Sequence, residues 1–495
     1  MQLNISSLHY TYPESAEPAL CGLSATLPCG WTGIVGDNGS GKSTLAKILC
    51  GQLKQDGGSF APALRAAYCQ QDASTPSENL QDFICSYDKE ALMLRNAFGI
   101  EEDWGWRFDT LSCGQQKRMQ IACALWAEPQ LLIMDEPTNH VDAPTREIIA
   151  NALTRFRGIG ILISHDRTLL DELCTQCLFM ENGTGVMRPG GFSQGQDQAG
   201  LERATTLREK EKAKNELQRL KKEAQSRSEQ ASRTASRRSA RNVAKHDSDA
   251  REKIRLAVYS GQDGKAGKLS ARMDSRVQQA SATLSDLHVQ KRYEGNFHTN
   301  AEASRRPVVL HVPEMSLPLG EERTLQIPQL FVENHDHIGL AGPNGWGKTT
   351  LVKQLMGMVD DGVRILYLPQ EPTADQRKSA LRSLQELNNK DRGEVLKTVA
   401  RLNSQPERFM EGDELSPGEL RKLMLALGML ENPELMILDE PTNHLDIGSV
   451  LALERFLTTF PGAFLLVTHD QALLEGTTSR IWEITQEDEA TLRLI

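Results

Sequence analysis

The sequence predicts an α/β protein in which two copies of one domain flank a long helical hairpin. Three observations carry that prediction. Four short motifs occur twice, in the same order and at a nearly constant spacing. In each copy a short apolar run of strand length leads into a glycine-rich turn, the pattern of a strand feeding a helix. Between the copies, residues 201–290 are rich in Arg, Lys, Glu, Gln and Ala, with Tyr259 as their single aromatic residue. The expected domains are 1–195, a basic helical linker over 196–300, and 301–495.

The first copy opens with the apolar run Gly33-Ile34-Val35 and the turn Gly36-Asp37-Asn38-Gly39-Ser40-Gly41-Lys42-Ser43. The turn recurs as Gly342-Pro343-Asn344-Gly345-Trp346-Gly347-Lys348-Thr349 behind Ile338-Gly339-Leu340-Ala341, an offset of 306. Leu111-Ser112-Cys113-Gly114-Gln115 recurs as Leu415-Ser416-Pro417-Gly418-Glu419 at an offset of 304. Asp135-Glu136-Pro137-Thr138-Asn139-His140 and His165-Asp166 recur as Asp439-Glu440-Pro441-Thr442-Asn443-His444 and His469-Asp470, also at 304. Four motifs in register mark duplication of a whole domain. The 495 residues accommodate it, since two to four domains fit at roughly 100–200 residues each.

The linker reads as helix from Leu201 to about Lys245, with Leu207, Leu217 and Leu220 as sparse apolar positions. Ser248 or Asp249 is placed to cap a short second helix. Ser260-Gly261-Gln262-Asp263-Gly264-Lys265-Ala266-Gly267 is a breaker cluster, so the hairpin tip is expected within 246–267. Helical pattern resumes from Leu269 to about Lys291, with Met273, Val277, Ala280 and Leu284 on one stripe. Residues 201–290 hold 21 Lys+Arg against 12 Asp+Glu, a net +9, whereas the whole chain carries −10 and the remainder therefore −19. That local sign favours a polyanionic partner over a plain charged spacer.

Composition excludes other classes. No apolar run approaches the roughly 18 residues that span a bilayer, and the start Met1-Gln2-Leu3-Asn4 has no basic, apolar leader pattern. Membrane-spanning and secreted readings are therefore not expected. All nine cysteines fall in the first 177 residues, an odd count that fits reduced thiols in a cytoplasmic protein. Cys174 and Cys177 make one isolated CxxC, read as small packed residues.

The glycine-rich turns let successive backbone N–H groups converge on phosphate at a helix start. Lys42 and Lys348 are placed to reach the β/γ-phosphates, and Ser43 and Thr349 supply a hydroxyl for Mg2+. The expected nucleotide set is Gly36, Asn38, Gly39, Gly41, Lys42, Ser43 and Thr44, with Gly342, Asn344, Gly345, Gly347, Lys348, Thr349 and Thr350 in the second copy. Asp135 and Asp439, each behind a strand-like run, are expected Mg2+ ligands, direct or through water. Glu136 and Glu440 are placed to polarise an attacking water. ATP and Mg2+ are thus the expected cofactors, and hydrolysis the expected reaction. No role is assigned to Trp346.

The Leu-Ser-x-Gly-Gln/Glu motif, 23 residues before the metal Asp in both copies, resembles the signature of ABC-type ATPases. In that family two such domains pack head to tail, with ATP between the phosphate loop of one and the signature of the other. The resemblance implies two P-loop ABC-type domains, with Lys42 paired to Ser416 and Gly418, and Lys348 to Ser112 and Gly114. It implies that Gln71 and Gln370 are the glutamine-loop residues, which also touch the metal, and that His165 and His469 are the switch histidines. Tyr12, or the neighbouring Tyr10, matches the aromatic that stacks on adenine. Copy two has no aromatic between Phe297 and Phe331 to do the same. Cys113 and Pro417 replace the first glycine of the common signature.

Two fused ATPase domains around a basic helical linker, with Asp142 and Asp446 completing Asp-Glu-Pro-Thr-Asn-His-x-Asp in both copies, resemble the ABC-F family. That resemblance implies a monomer that binds the ribosomal E site with ATP. It further implies a linker directed at rRNA, P-site tRNA and the peptidyl-transferase centre, with no transmembrane subunit. The similar gaps Gln71–Ser112 and Gln370–Ser416, 41 and 46 residues, leave no room for an inserted arm. The linker looks like that of antibiotic-resistance members, with a general translation factor as the alternative. A transporter or DNA-repair ATPase is the reading of another class.

Overall fold

A computed structural model describes residues 1–139, 141–237, 262–286, 303–319, 323–360, 362–410, 415–486 and 490–494. The chain divides into two compact units, Met1–Gly195 with Arg292–Ile495, and Gln196–Lys291.

The first unit holds both copies. Strands of copy one are β1 (Gln2–Tyr10), β2 (Leu20–Pro28), β3 (Gly30–Gly36), β4 (Gly57–Ala61), β5 (Ala66–Cys69), β6 (Leu131–Asp135), β7 (Ile159–Ile163), β8 (Cys174–Glu181) and β9 (Thr184–Pro189). Those of copy two are β10 (Val308–Val312), β11 (Met315–Pro318), β12 (Thr324–Ile327), β13 (Leu330–Glu333), β14 (His337–Ala341), β15 (Ile365–Leu368), β16 (Leu435–Asp439), β17 (Ala463–Val467), β18 (Arg480–Gln486) and β19 (Ala490–Leu494).

The duplication is visible in strand order. Copy one has β5-β6-β7-β3-β8-β9, and copy two contains its counterpart β15-β16-β17-β14-β18-β19, extended by β12 and β11. In each, five neighbouring strands run parallel and the last pairs antiparallel. Every residue of β6, β7, β16 and β17 is buried, which explains why they read as unbroken apolar runs rather than alternating ones. The copies differ at the rim. Copy one forms a separate sheet β2-β1-β4, whereas copy two pairs β10 with β13 alone.

Inserted between β5 and β6 are the helices Leu80–Cys85, Lys89–Phe98 and Cys113–Trp126, packed around Phe83, Phe98 and Trp104. Copy two places Ala374–Glu386, Asn389–Arg401 and Pro417–Leu430 between β15 and β16. Ile447 of copy two is buried in the apolar cluster of copy one, so the copies share part of a core.

The second unit comprises most of the helix Phe192–Arg237 and the helix Gln262–Asp286. At 1.5 Å per residue a helix of 46 residues extends about 69 Å. Both helices begin earlier than the sequence suggested. Phe192 packs on Phe179, ring centroids 6.1 Å apart. A Cβ on Gly195 would lie 2.6 Å from the same ring, so close packing outweighs the local glycines. From Gln262 to Gly267 the expected breaker is helical; each glycine costs about 1 kcal/mol, which a long cooperative helix absorbs. Leu217, Leu220 and Met273 are buried, but Leu207 is exposed. Val277, Ala280 and Leu284 are half-buried while their flanking residues are exposed, so the stripe is as read. Tyr259, Ser248, Asp249 and the expected tip up to position 261 lie outside the described residues, as do the linker ends 238–245 and 287–300.

No helix among the described residues is long and apolar enough to cross a membrane. All nine cysteines are free.

Candidate active site

Each phosphate loop turns at glycines in the left-handed region. Gly39 and Gly41 have φ of 82° and 97°, and Gly345 and Gly347 have 78° and 80°. Gly41 and Gly347 are also the N-caps of the helices Lys42–Leu49 and Lys348–Met356, with no side chain over the free N–H groups. Lys42 Nζ donates to Gly36 O at 2.7 Å and Asp37 O at 2.9 Å. Lys348 Nζ donates to Gly342 O at 2.7 Å and lies 3.0 Å from His469 Nε2. Burial lowers both ammonium pKa values, so each is poised to gain from an anion.

Beyond the loops sit the acidic pairs ending β6 and β16. Asp135 accepts from the Tyr68 hydroxyl at 2.8 Å, and Asp439 from Thr349 Oγ1 at 3.0 Å. Glu136 and Glu440 adopt positive φ of 50° and 49° and donate their N–H groups to Ile163 and Val467 at 2.8 Å. That bend aims both side chains at the histidines. His165 Nε2 is 3.3 Å from Glu136 Oε1, and His469 Nε2 is 3.5 Å from Glu440 Oε1. Burial, with the neighbouring Asp135 charge, raises Glu136 to about 8, and burial raises Glu440 to about 8. Burial, then the nearby lysine, lowers both histidines to about 4. Oε1 of each glutamate is buried and accepts no hydrogen bond among the described residues, which leaves an acceptor for water.

The signature motifs open helices. Ser112 caps Cys113–Trp126 and Ser416 caps Pro417–Leu430, each in a capping box closed by Gln115 or Glu419. Cys113 and Pro417 both occupy the first helical position, where no intrahelical N–H bond is needed and proline fits. One turn further on, Lys117 Nζ donates to the Gln70 and Gln71 carbonyls at 2.7 and 3.0 Å. Arg421 donates likewise to the Gln370 and Asn443 carbonyls. These cations hold the glutamine loops, and the sequence reading missed them, as it missed Tyr68. The signal was present: Lys117 and Arg421 stand at matching positions of the repeat.

The copies meet crosswise. Asp446 Oδ2 accepts from the backbone N–H of Asn38 at 3.3 Å, and Asp142 Oδ2 from that of Asn344 at 3.5 Å. His444 O also accepts from Asn38 Nδ2 at 3.2 Å. Arg167 donates to Glu454 at 2.6 Å. A single cleft of about 1670 Å³ runs between the copies. Sites for one small ligand run to roughly 300–1,000 Å³, so this cleft has room for two. Apart from Gly36 and Gly342, every residue expected at the site lines it, including Ser43, Thr44, Thr350, Gln71, Gln370, Ser112, Gly114, Ser416 and Gly418. Tyr12 lines the cleft with its hydroxyl 3.0 Å from Thr44 Oγ1, while Tyr10 is buried in the core against it. Copy two presents Pro318 and Leu319 at its end of the cleft and no aromatic ring among the described residues. Trp346 packs toward the core with the Arg323 guanidinium over its ring.

The carboxylates, hydroxyls and amides gathered here are hard oxygen donors, the kind Mg2+ takes. Comparison with known proteins agrees with the geometry. The ABC transporter family model matches residues 20–139 and again 325–443. The ribosome protection protein VmlR of Bacillus subtilis is 27% identical over 458 residues, 90% of this chain and 80% of that protein. ATP-binding protein Uup of Caulobacter vibrioides is 27% identical, over 93% of this chain and 74% of that one. The solved structure of RNase-L Inhibitor shares the fold, with a TM-score of 0.63 at 19% identity, covering 98% of this chain and 90% of that one. Two matches to one family model in register with the repeat, and tandem relatives aligned along most of the sequence, make this chain a member of the ABC-F family of ABC ATPases.

Proposed function

We propose that the protein is a cytoplasmic, ribosome-bound ATPase that hydrolyses ATP to ADP and phosphate at two composite sites. The observation that supports this best is the crossing of Asp446 onto Asn38 and of Asp142 onto Asn344. On this reading each phosphate loop faces the other copy's signature motif, and neither site is complete without both copies. In the first site Lys42 binds the β/γ-phosphates, with Ser416 and Gly418 opposite; in the second Lys348 does so, with Ser112 and Gly114 opposite. Ser43, Asp135 and Gln71, or Thr349, Asp439 and Gln370, are the residues that would hold Mg2+, which when bound neutralises phosphate charge. Tyr12 stacks on adenine at the first site.

Glu136 and Glu440 orient water and take its proton. A carboxylate whose pKa lies near 8 is well matched to that work near neutral pH. His165 and His469, held neutral, present Nε2 toward the glutamate and the terminal phosphate.

The partner follows from the charge of the arm and from relatives such as the ribosome protection protein VmlR. A net +9 over 90 residues suits rRNA and tRNA phosphates. The reading is that the closed, ATP-bound chain occupies the E site, with its linker toward P-site tRNA and the peptidyl-transferase centre, and protects the ribosome from antibiotics. The chain acts as a monomer, its copies pairing within one polypeptide.

The Glu136→Gln, Glu440→Gln protein should co-sediment with 70S ribosomes in ATP and release them when ATP is withheld. Failure to co-sediment ends the ribosome reading. Expression in a susceptible host should raise the inhibitory concentrations of lincosamides, pleuromutilins or streptogramins. Unchanged values with intact co-sedimentation would favour a general translation factor.

A further inference from the structure

The two composite sites are not built alike. At the first, Asn403 of copy two donates its side-chain N–H to Asp37 of copy one at 3.0 Å, and lies 3.4 Å from Asp446 Oδ1. Asp37 belongs to the phosphate loop, and Asp446 already holds the N–H of Asn38 in the same loop. Asn403 sits just past the helix Asn389–Arg401 with φ of 61°, a conformation asparagine tolerates. Lys422, buried on the signature helix, fixes it from below: Nζ donates to Asn403 O at 3.3 Å and Ser404 Oγ at 2.9 Å. Its charge also faces Asp446 and Asp37. Gly448 leaves the space for the bond, since a Cβ there would lie 2.6 Å from Asn403 Nδ2 and 3.0 Å from Asp37 Oδ1.

Asp446 and Asn38 have identical counterparts in the other site, Asp142 and Asn344, but the residues that build the bridge do not. Pro343 stands for Asp37, Gly99 for Asn403, Arg118 for Lys422 and Pro144 for Gly448. Gly99 keeps the left-handed turn, φ 57°, but has no side chain to reach across. Arg118 turns into its own copy, donating to Phe98 O at 2.9 Å with its guanidinium over Trp104. The second site thus retains the Asp142–Asn344 contact without the reinforcing side-chain bridge.

We propose that Asn403, seated by Lys422 and Gly448, is a positioning residue that ties the phosphate loop of copy one to copy two, so that the first site stays closed around its nucleotide longer than the second. This rests on the reading of the cleft as two nucleotide sites. The second site then opens first, and the first acts as the hinge side that keeps the copies together between turnovers.

The test is dissociation of mant-ATP, chased with unlabelled ATP, from the full-length Glu136→Gln, Glu440→Gln protein. Two phases are expected. Adding Asn403→Gly should speed the slow phase roughly tenfold, the scale of a lost hydrogen bond to a charged group, and leave the fast phase unchanged. Gly448→Ala should do the same without lowering the melting temperature, because alanine suits the helix and displaces only the ends of the Asn403 and Asp37 side chains. If both phases accelerate together, or Gly448→Ala alters neither, the latch is refuted. If the parent protein binds no mant-ATP, the nucleotide reading fails and the latch's role with it, an outcome distinct from a parent that binds but shows no selective effect.

Discussion

Glu136 and Glu440 carry a pH signature that belongs to single residues. Each holds its proton in the folded chain up to about pH 8, against an ordinary value of 4.5. Between those limits the native state binds more protons than the unfolded one, so stability falls as pH rises. His165 and His469 act in the opposite sense: lowered from 6.5 to about 4, they make stability rise with pH over that interval. The effects offset one another between about pH 4.5 and 6.5, and above 6.5 only the glutamates remain. For nucleotide-free protein in EDTA, the melting temperature should therefore decline from pH 6.5 to 8.5. The Glu136→Gln, Glu440→Gln variant should show a flatter profile, since glutamine has no proton to lose. Equal declines in both proteins, measured by calorimetry, would show that these carboxyls do not govern the slope.

At the scale of elements, the two signature helices carry glycine at the same position, Gly114 and Gly418, and differ in tolerance there. A Cβ on Gly418 would lie 2.5 Å from the backbone oxygen of His444, whereas one on Gly114 meets only Thr145 at 3.9 Å. Alanine is the better helix former at both, so any harm must come from the clash. Gly418→Ala should lower steady-state ATPase activity tenfold or more by pushing the signature away from the first site. Gly114→Ala should keep most of it; equal losses would place the constraint elsewhere. This asymmetry marks the limit of what the sequence made legible. The buried strands β6, β7, β16 and β17 and the loops behind β3 and β14 were readable, because their function demands fixed residue types at fixed spacing. The early start of the helix at Phe192 was not, since it depends on packing against Phe179. Nor was the Asn403–Asp37 bridge, whose partners lie 366 residues apart and of which Asn403 belongs to no motif. Lys117 and Arg421 fall between these cases: in register with the repeat, yet without a role until the glutamine-loop carbonyls appear beside them.

For the whole molecule, charge is divided by unit. The segment 201–290 carries +9 and the remainder −19, so repulsion by an RNA surface acts on the ATPase unit and attraction on the arm. Binding through the arm must then be strongly salt-dependent, because each neutralised phosphate releases counterions. Lys221, Lys222 and Arg227 are exposed on the helix Phe192–Arg237, outside the ATPase unit. Replacing all three by alanine should lower the slope of log affinity against log salt by about 2, at roughly 0.7 per lost phosphate contact. Co-sedimentation of the Glu136→Gln, Glu440→Gln protein with 70S ribosomes across a KCl series reads that slope. Ribosome-free ATP hydrolysis of the same triple substitution, made in the otherwise unaltered chain, should be unchanged, since none of the three touches the cleft. An unchanged slope would assign the electrostatic contact to other residues, and a loss of ribosome-free hydrolysis would show that the arm supports the ATPase unit itself.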